Sequence, residues 1–93
     1  MTEETRKGVE EATRVLLDAG AKEVYVFGSS AEGTDTDDSD IDLAVSGLPP
    51  EGFFHAVGEA VMAVSRPIGV IDLDESNPFT EYLRRKGKLV RVA

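Results

Sequence analysis

Two short runs rich in β-branched and aromatic residues, 24–27 and 41–45, bound a segment, 28–40, in which every residue is small or polar. Such runs predict strands, and the segment between them predicts a turn or short helix followed by a loop. The segment carries five carboxylates and no basic residue. The chain must therefore fit an acidic, irregular connection between two strands, and this constrains the fold more than any other feature.

The rest of the chain alternates between helical and extended patterns. Helices are expected over residues 3–19, over 51–65, and from Pro78 to near Gly87, where Asn77 can cap the start. In the second helix the side chains expected to be buried are Phe54, Val57, Val61 and Val64, with Phe53 and Ala60 beside them. Residues 68–73 and 89–92 predict two more strands. This alternation predicts an α/β (α+β) fold, a small mixed sheet packed by helices, in one domain over residues 1–93.

Composition limits the classes of function. The net charge of -8 argues against a general nucleic-acid binder, because such proteins need basic surface to replace counterions around phosphates. The absence of cysteine excludes disulfides and thiolate metal sites. No apolar run approaches the ~20 residues of a membrane span, and the start lacks the pattern of a signal peptide. A cytoplasmic protein with no membrane segment is therefore expected.

Asp40 and Asp42 lie two residues apart at the start of a predicted strand, so their carboxylates project to the same side. Converging carboxylates repel, and Mg²⁺ (or Mn²⁺) bound together with substrate phosphates would relieve this repulsion. Gly28 lets the backbone approach a ligand, and a helix opening at Ser29 or Ser30 would offer free amides and hydroxyls to a polyphosphate. Each motif alone also fits a purely structural role: the Asp pair can begin a strand or cap a turn, and Gly-Ser-Ser can form a turn with a helix cap.

The combination is more specific. A strand, Gly28-Ser29, and then Asp40-Ile41-Asp42 leading into a second strand resemble the nucleotidyltransferase superfamily of DNA polymerase beta. The chain also resembles, in length, the minimal nucleotidyltransferases (MNT) found in HEPN/MNT toxin–antitoxin pairs. The similarity runs from about residue 20 to the end.

The resemblance implies specific roles. Gly28 and Ser29, with Ser30 beside them, would bind a nucleoside triphosphate, ATP being the expected one, and Asp40 and Asp42 would hold the metal. The reaction would transfer a nucleoside monophosphate, expected to be AMP, to an acceptor. The implied partner is a helical protein of the HEPN type, toward which the chain would act as antitoxin; self-association into a homo-oligomer is the alternative.

Two departures from the family pattern bear on activity. Ser30 and Glu32 stand where many minimal members carry arginines. Active members carry a third carboxylate, which activates the acceptor hydroxyl, on the strand after the intervening helix. When the family pattern is matched to this chain at Asn77-Pro78, the position of that carboxylate falls on Gly69. Asp72 is then the best available general base, although strand alternation turns it away from position 69, and it also fits a simple strand end. The alternative function is a catalytically impaired module that binds nucleotide or partner and acts by occlusion.

Overall fold

The computed structural model describes residues 1–93 as four helices and one four-stranded sheet. The elements in chain order are α1 (Glu3–Asp18), β1 (Glu23–Phe27), α2 (Ser29–Glu32), β2 (Ile41–Ser46), α3 (Pro50–Ala63), β3 (Ile68–Asp72), α4 (Pro78–Arg85) and β4 (Val90–Arg91). The predicted order of elements is confirmed, with ends displaced by one or two residues. None of the helices combines the length and apolarity needed to cross a bilayer.

The sheet has the strand order β3-β2-β1-β4 and is mixed. β1 runs antiparallel to both β2 and β4, whereas β3 runs parallel to β2. One face, which we call the helix face, packs its apolar side chains against α1 and α3 to form the main core. The opposite face, the open face, carries Asp42 and is partly covered by α4, whose Phe79 ring meets that of Phe27 edge-on at 6.0 Å. The predicted fold class is confirmed.

The buried stripe predicted for α3 is wrong at Phe54 and Val61, whereas Ala60 and Val64 are buried as predicted. Phe53 and Val57 are partly buried. Phe54 is 84% exposed and Val61 44% exposed, while the helix buries Ala56 and Ala60. Close packing explains the difference, because α3 lies against α1. A Cβ added to Gly8 of α1 would come within 2.8 Å of the Ile41 side chain in β2 and within 3.4 Å of that of Val64 at the end of α3. Small residues therefore face the core so that the helices and sheet approach each other, and larger apolar residues of α3 are left outside.

The helix starts follow their capping residues. The Thr2 hydroxyl accepts a hydrogen bond from the Thr5 N–H at 3.1 Å and begins α1. Asn77 and Thr80 form a reciprocal capping box at the start of α4. At the other end of α4, Arg84 donates to the Leu73 carbonyl oxygen at 2.8 Å and ties the helix to the end of β3. These contacts hold α4 over the open face, beside the site described next.

Candidate functional site

Gly28 joins β1 to α2 in a conformation open only to glycine. Its φ is +67° and its ψ is -147°. A Cβ at this position would lie 2.5 Å from Oδ2 of Asp42. The glycine therefore allows the Asp42 carboxylate to rest directly against the backbone that enters α2.

The first turn of α2 presents unpaired amides beside that carboxylate. Its hydrogen bonds begin with the N–H groups of Ala31 and Glu32, which donate to the Gly28 carbonyl, so those of Ser29 and Ser30 have no acceptor within the helix. Ser29 is half-buried. Ser30 is buried, and its hydroxyl has no hydrogen-bond partner. A ligand here can reach the half-buried Ser29, whereas the Ser30 hydroxyl is buried away from it.

Asp42 and Asp40 form an acidic pair at the start of β2. Asp42 is half-buried, lies opposite Phe27 in the sheet, and accepts no hydrogen bond from a side chain. Burial raises the pKa of the Asp42 carboxyl, and the negative charge of the exposed Asp40 raises it further. A carboxylate kept ionised at neutral pH in such a place favours a cation beside it.

The donor set fits a hard divalent cation that arrives with phosphate. No three acidic or histidine side chains converge anywhere in the chain to form a complete metal cage. Mg²⁺ is commonly held by one or two carboxylates together with substrate phosphate oxygens and water. Asp40 and Asp42 match that smaller requirement, with the amides of α2 close by for the phosphates.

Gly69 of β3 occupies the position next to Asp42. The two residues are register partners, and a Cβ at Gly69 would lie 3.8 Å from Oδ1 of Asp42. A side chain at residue 69 would thus point into the site, at the position where the family pattern, anchored at Asn77-Pro78, has its third acid. This chain has only hydrogen there.

Asp72 lies elsewhere. It pairs with Val45, so alternation turns its side chain to the helix face, about 10 Å along the strand from Gly69. Its Oδ1 accepts a hydrogen bond from the Asp74 N–H at 2.9 Å. Asp74 in turn accepts from the Gly47 N–H at 2.7 Å, which lowers its pKa. The structure does not bring Asp72 to the Asp40–Asp42 pair, and its role as general base stays a prediction.

The loop from Gly33 to Asp40 is anchored to the start of α1. Asp35 is buried and accepts a hydrogen bond from the Thr2 N–H at 2.8 Å, and this bond is the main reason that its pKa falls to about 2. Arg66 donates to the Thr5 hydroxyl at 2.7 Å and to the carbonyl oxygens of Thr36 and Ser39. Sequence reasoning missed Arg66, because its loop partners lie about thirty residues away along the chain.

We expect Asp35→Asn to destabilise the protein at pH 7 by about 1–3 kcal/mol, because a charged hydrogen-bond acceptor is lost from a buried position. The folded-state pKa is depressed, so the carboxylate stabilises the fold above its ordinary pKa, and this contribution is lost as the pH falls from about 4 to about 2. Urea unfolding across pH 2–7 should therefore show the two proteins converging in acid. The exposed Asp37→Asn is the control and should stay within about 0.5 kcal/mol of wild type.

The family model described as "Polymerase beta, Nucleotidyltransferase" matches residues 16–91. The chain belongs to this family. No curated protein matches the sequence. Among solved structures, this nucleotidyltransferase domain resembles that of a toxin–antitoxin with AMP-PNP, with 23% identity and a TM-score of 0.65 over 86% of this chain and 69% of that one. It also resembles the toxin–antitoxin MntA-HepT, with 19% identity and a TM-score of 0.61 over 90% of this chain and 69% of that one. At these identities the likeness shows a shared fold.

Proposed function

We propose that the chain works as a single metal-dependent nucleotidyltransferase domain that binds a nucleoside triphosphate, ATP being the expected one. One observation carries the proposal most directly. The glycine-only conformation of Gly28 brings the Asp42 carboxylate against the segment where the amides of Ser29 and Ser30 are unpaired. The expected cation ligand therefore lies next to the amides expected to donate hydrogen bonds to the phosphates, as a metal–triphosphate complex requires.

In the proposed reaction an acceptor oxygen attacks the α-phosphorus of the nucleotide. The bond from that phosphorus to the oxygen bridging to the β-phosphate breaks, pyrophosphate leaves, and the acceptor gives up its proton. The Ser29 hydroxyl and the amides of α2 orient the phosphates, while Asp40 and Asp42 hold Mg²⁺ or Mn²⁺. The bound cation neutralises charge on the phosphate oxygens.

The acceptor's proton has no obvious recipient on this chain. Gly69 provides no carboxylate beside Asp42, and Asp72 faces the other side of the sheet. This favours either slow transfer, with the proton passing to solvent or to a group of the acceptor, or a second function. In that second function, the chain binds nucleotide and a partner protein without transferring AMP.

The expected acceptor is a protein, because a domain of this size has little surface of its own with which to select an acceptor. The similar structures are those of toxin–antitoxin assemblies, one of them with AMP-PNP, which supports a helical partner of the HEPN type and an antitoxin role. Phe54 and Met62, which are 84% and 87% exposed on α3, offer apolar contact area for that partner or for a second copy of the chain.

Calorimetric titration with ATP, in the presence of Mg²⁺ and then of a chelator, tests the metal site. We expect Asp42→Asn and Asp40→Asn each to weaken Mg²⁺-dependent binding by at least about tenfold, equivalent to 1.4 kcal/mol. Asp37→Asn removes the same charge from the exposed part of the loop and should bind almost as wild type does. Binding that survives the double substitution would exclude Asp40 and Asp42 as cation ligands.

Stability of the metal-free protein provides a second readout on Asp42. Because burial and Asp40 disfavour its charged form, Asp42→Asn should raise the free energy of unfolding at pH 7. A substitution that stabilises the fold while it removes ligand binding marks a functional residue. Loss of both stability and binding would instead indicate a structural one.

A further inference from the structure

Arg66 lies between α3 and β3, and all its hydrogen bonds go to neutral oxygens. One terminal guanidinium nitrogen donates to the Thr5 hydroxyl, and the other donates to the carbonyl oxygens of Thr36, at 3.0 Å, and Ser39. The buried Nε has no hydrogen-bond partner. Thr5 itself is fully buried in α1. None of the chain's ion pairs involves Arg66. Its charge is therefore not committed to a carboxylate, and its hydrogen bonds join the acidic loop to α1.

The two carbonyl groups belong to the turn that leads directly into Asp40. Within this turn the Ser39 N–H donates to the Thr36 carbonyl at 3.1 Å, and the Thr36 N–H donates to the Ser39 hydroxyl at 2.8 Å. The Ser39 carbonyl and the N–H of Asp40 share one planar peptide unit. A donor that fixes the Ser39 carbonyl therefore also fixes the orientation of the peptide plane that joins Ser39 to Asp40.

The loop needs such a contact. Asp37, Asp38 and Asp40 are all exposed and close together in sequence, so their charges repel, and the segment 28–40 contains no base of its own. Arg66 supplies a positive charge from another part of the chain. Its planar fork can satisfy two carbonyls and a hydroxyl together, which a lysine ammonium on a flexible stem does less well.

We propose that Arg66 is a positioning residue that holds the Ser39–Asp40 peptide, and with it the Asp40 carboxylate, in the orientation that binds the cation. The inference rests on the proposed function, in which Asp40 is a cation ligand. Groups that orient metal ligands typically change metal affinity by about 10–100-fold when they are removed. That is the effect expected here, without a matching loss in the rest of the fold.

Two variants and one control test this. Arg66→Ala removes the donor, Arg66→Lys keeps the charge but not the fork, and Arg85→Ala removes an exposed arginine of α4 that makes no side-chain hydrogen bond or ion pair. Mn²⁺ binding in the presence of ATP, followed by electron paramagnetic resonance, should weaken by about 10–100-fold in Arg66→Ala and by less in Arg66→Lys. Arg85→Ala should match wild type, and added guanidinium ion should partly restore Arg66→Ala.

A readout without metal or nucleotide separates positioning from general support. Amide order parameters for residues 36–40 should fall from about 0.85 to below about 0.6 in Arg66→Ala, while those of α1 and α3 stay at wild-type values. Uniform loss of order across the chain, or unchanged Mn²⁺ affinity in both Arg66 variants, would overturn the inference. A wild-type protein that binds no Mn²⁺ at all would instead overturn the proposed function. If Arg66→Ala fails to fold, Arg66→Lys decides.

Discussion

Gly28→Ala is expected to abolish most Mg²⁺-dependent nucleotide binding while the protein still folds. The added methyl group would lie 2.5 Å from Oδ2 of Asp42, at the tip of a side chain that can rotate away. Rotation relieves the contact but carries the carboxylate out of position. Since loss of the groups that orient a metal ligand typically costs about 10–100-fold in metal affinity, we expect an affinity loss of that order.

The cost in stability should be smaller and has a different origin. At a φ of +67° and a ψ of -147° an alanine backbone is strained by about 1–3 kcal/mol. For a domain of this size each kcal/mol lowers the midpoint of thermal unfolding by about 4–8 °C. Thermal unfolding and calorimetry on the same sample therefore measure the two effects separately.

Gly33→Ala is the matched control. Gly33 also has a positive φ, +78°, but no atom lies within 4 Å of the Cβ that alanine would add. Alanine can adopt the left-handed conformation of Gly33 (φ +78°, ψ 16°) at a cost of about 1–2 kcal/mol, so this variant should lose less stability than Gly28→Ala and keep its nucleotide affinity. Equal affinity losses in the two variants would mean that backbone strain, and not the displacement of Asp42, controls binding.

Much of this site follows from local sequence rules. Side-chain alternation in β2 is sufficient to predict that Asp40 and Asp42 share a side, and the change from a β-branched run to Gly28 and Ser29 is sufficient to end β1 and start α2. The parallel pairing of β2 with β3 places Gly69, and not Asp72, beside Asp42. Sequence spacing had already indicated this, because residues 69 and 72 must face opposite ways.

The features that sequence reasoning missed depend on tertiary packing. Hydrophobicity alone assigns Phe54 to the core, but α3 buries Ala56 and Ala60, small residues that a hydrophobic stripe does not rank highly. Arg66 and Asp35 were not recognised as anchors of the loop, since their partners lie 27 to 61 residues away. Contacts of this range leave no periodic signal in the chain.

Gly69→Asp has the largest expected effect, a gain of AMP transfer. The Cβ of an aspartate at residue 69 would lie 3.8 Å from Oδ1 of Asp42, and its carboxylate would extend from the face where the family pattern has its third acid. A general base positioned to take the acceptor's proton typically accelerates a reaction by about 10²–10⁴-fold. We expect a gain in that range, measured as release of pyrophosphate from ATP and as transfer of label to a co-expressed partner.

The same substitution should make the metal-free protein less stable. A third carboxylate beside Asp42, whose pKa is already raised by burial and by Asp40, adds repulsion that only a cation can offset. The thermal midpoint should therefore fall in chelator and recover with Mg²⁺. Gly69→Asn, which is nearly the same size but uncharged, should show neither the fall nor the gain in transfer.

Asp72→Asn completes the comparison, because Asp72 and residue 69 are rival positions for the general base. Asp72 faces the helix side of the sheet, and its Oδ1 is occupied by the Asp74 N–H. We therefore expect Asp72→Asn to leave transfer unchanged, both in the wild-type chain and in combination with Gly69→Asp. Transfer that is lost in Asp72→Asn alone would show that β3 changes register when substrate binds and that Asp72 is the base. If Gly69→Asp binds ATP and Mg²⁺ yet transfers no AMP to any partner, the missing carboxylate is not what limits the chain, and binding without transfer becomes the function to pursue.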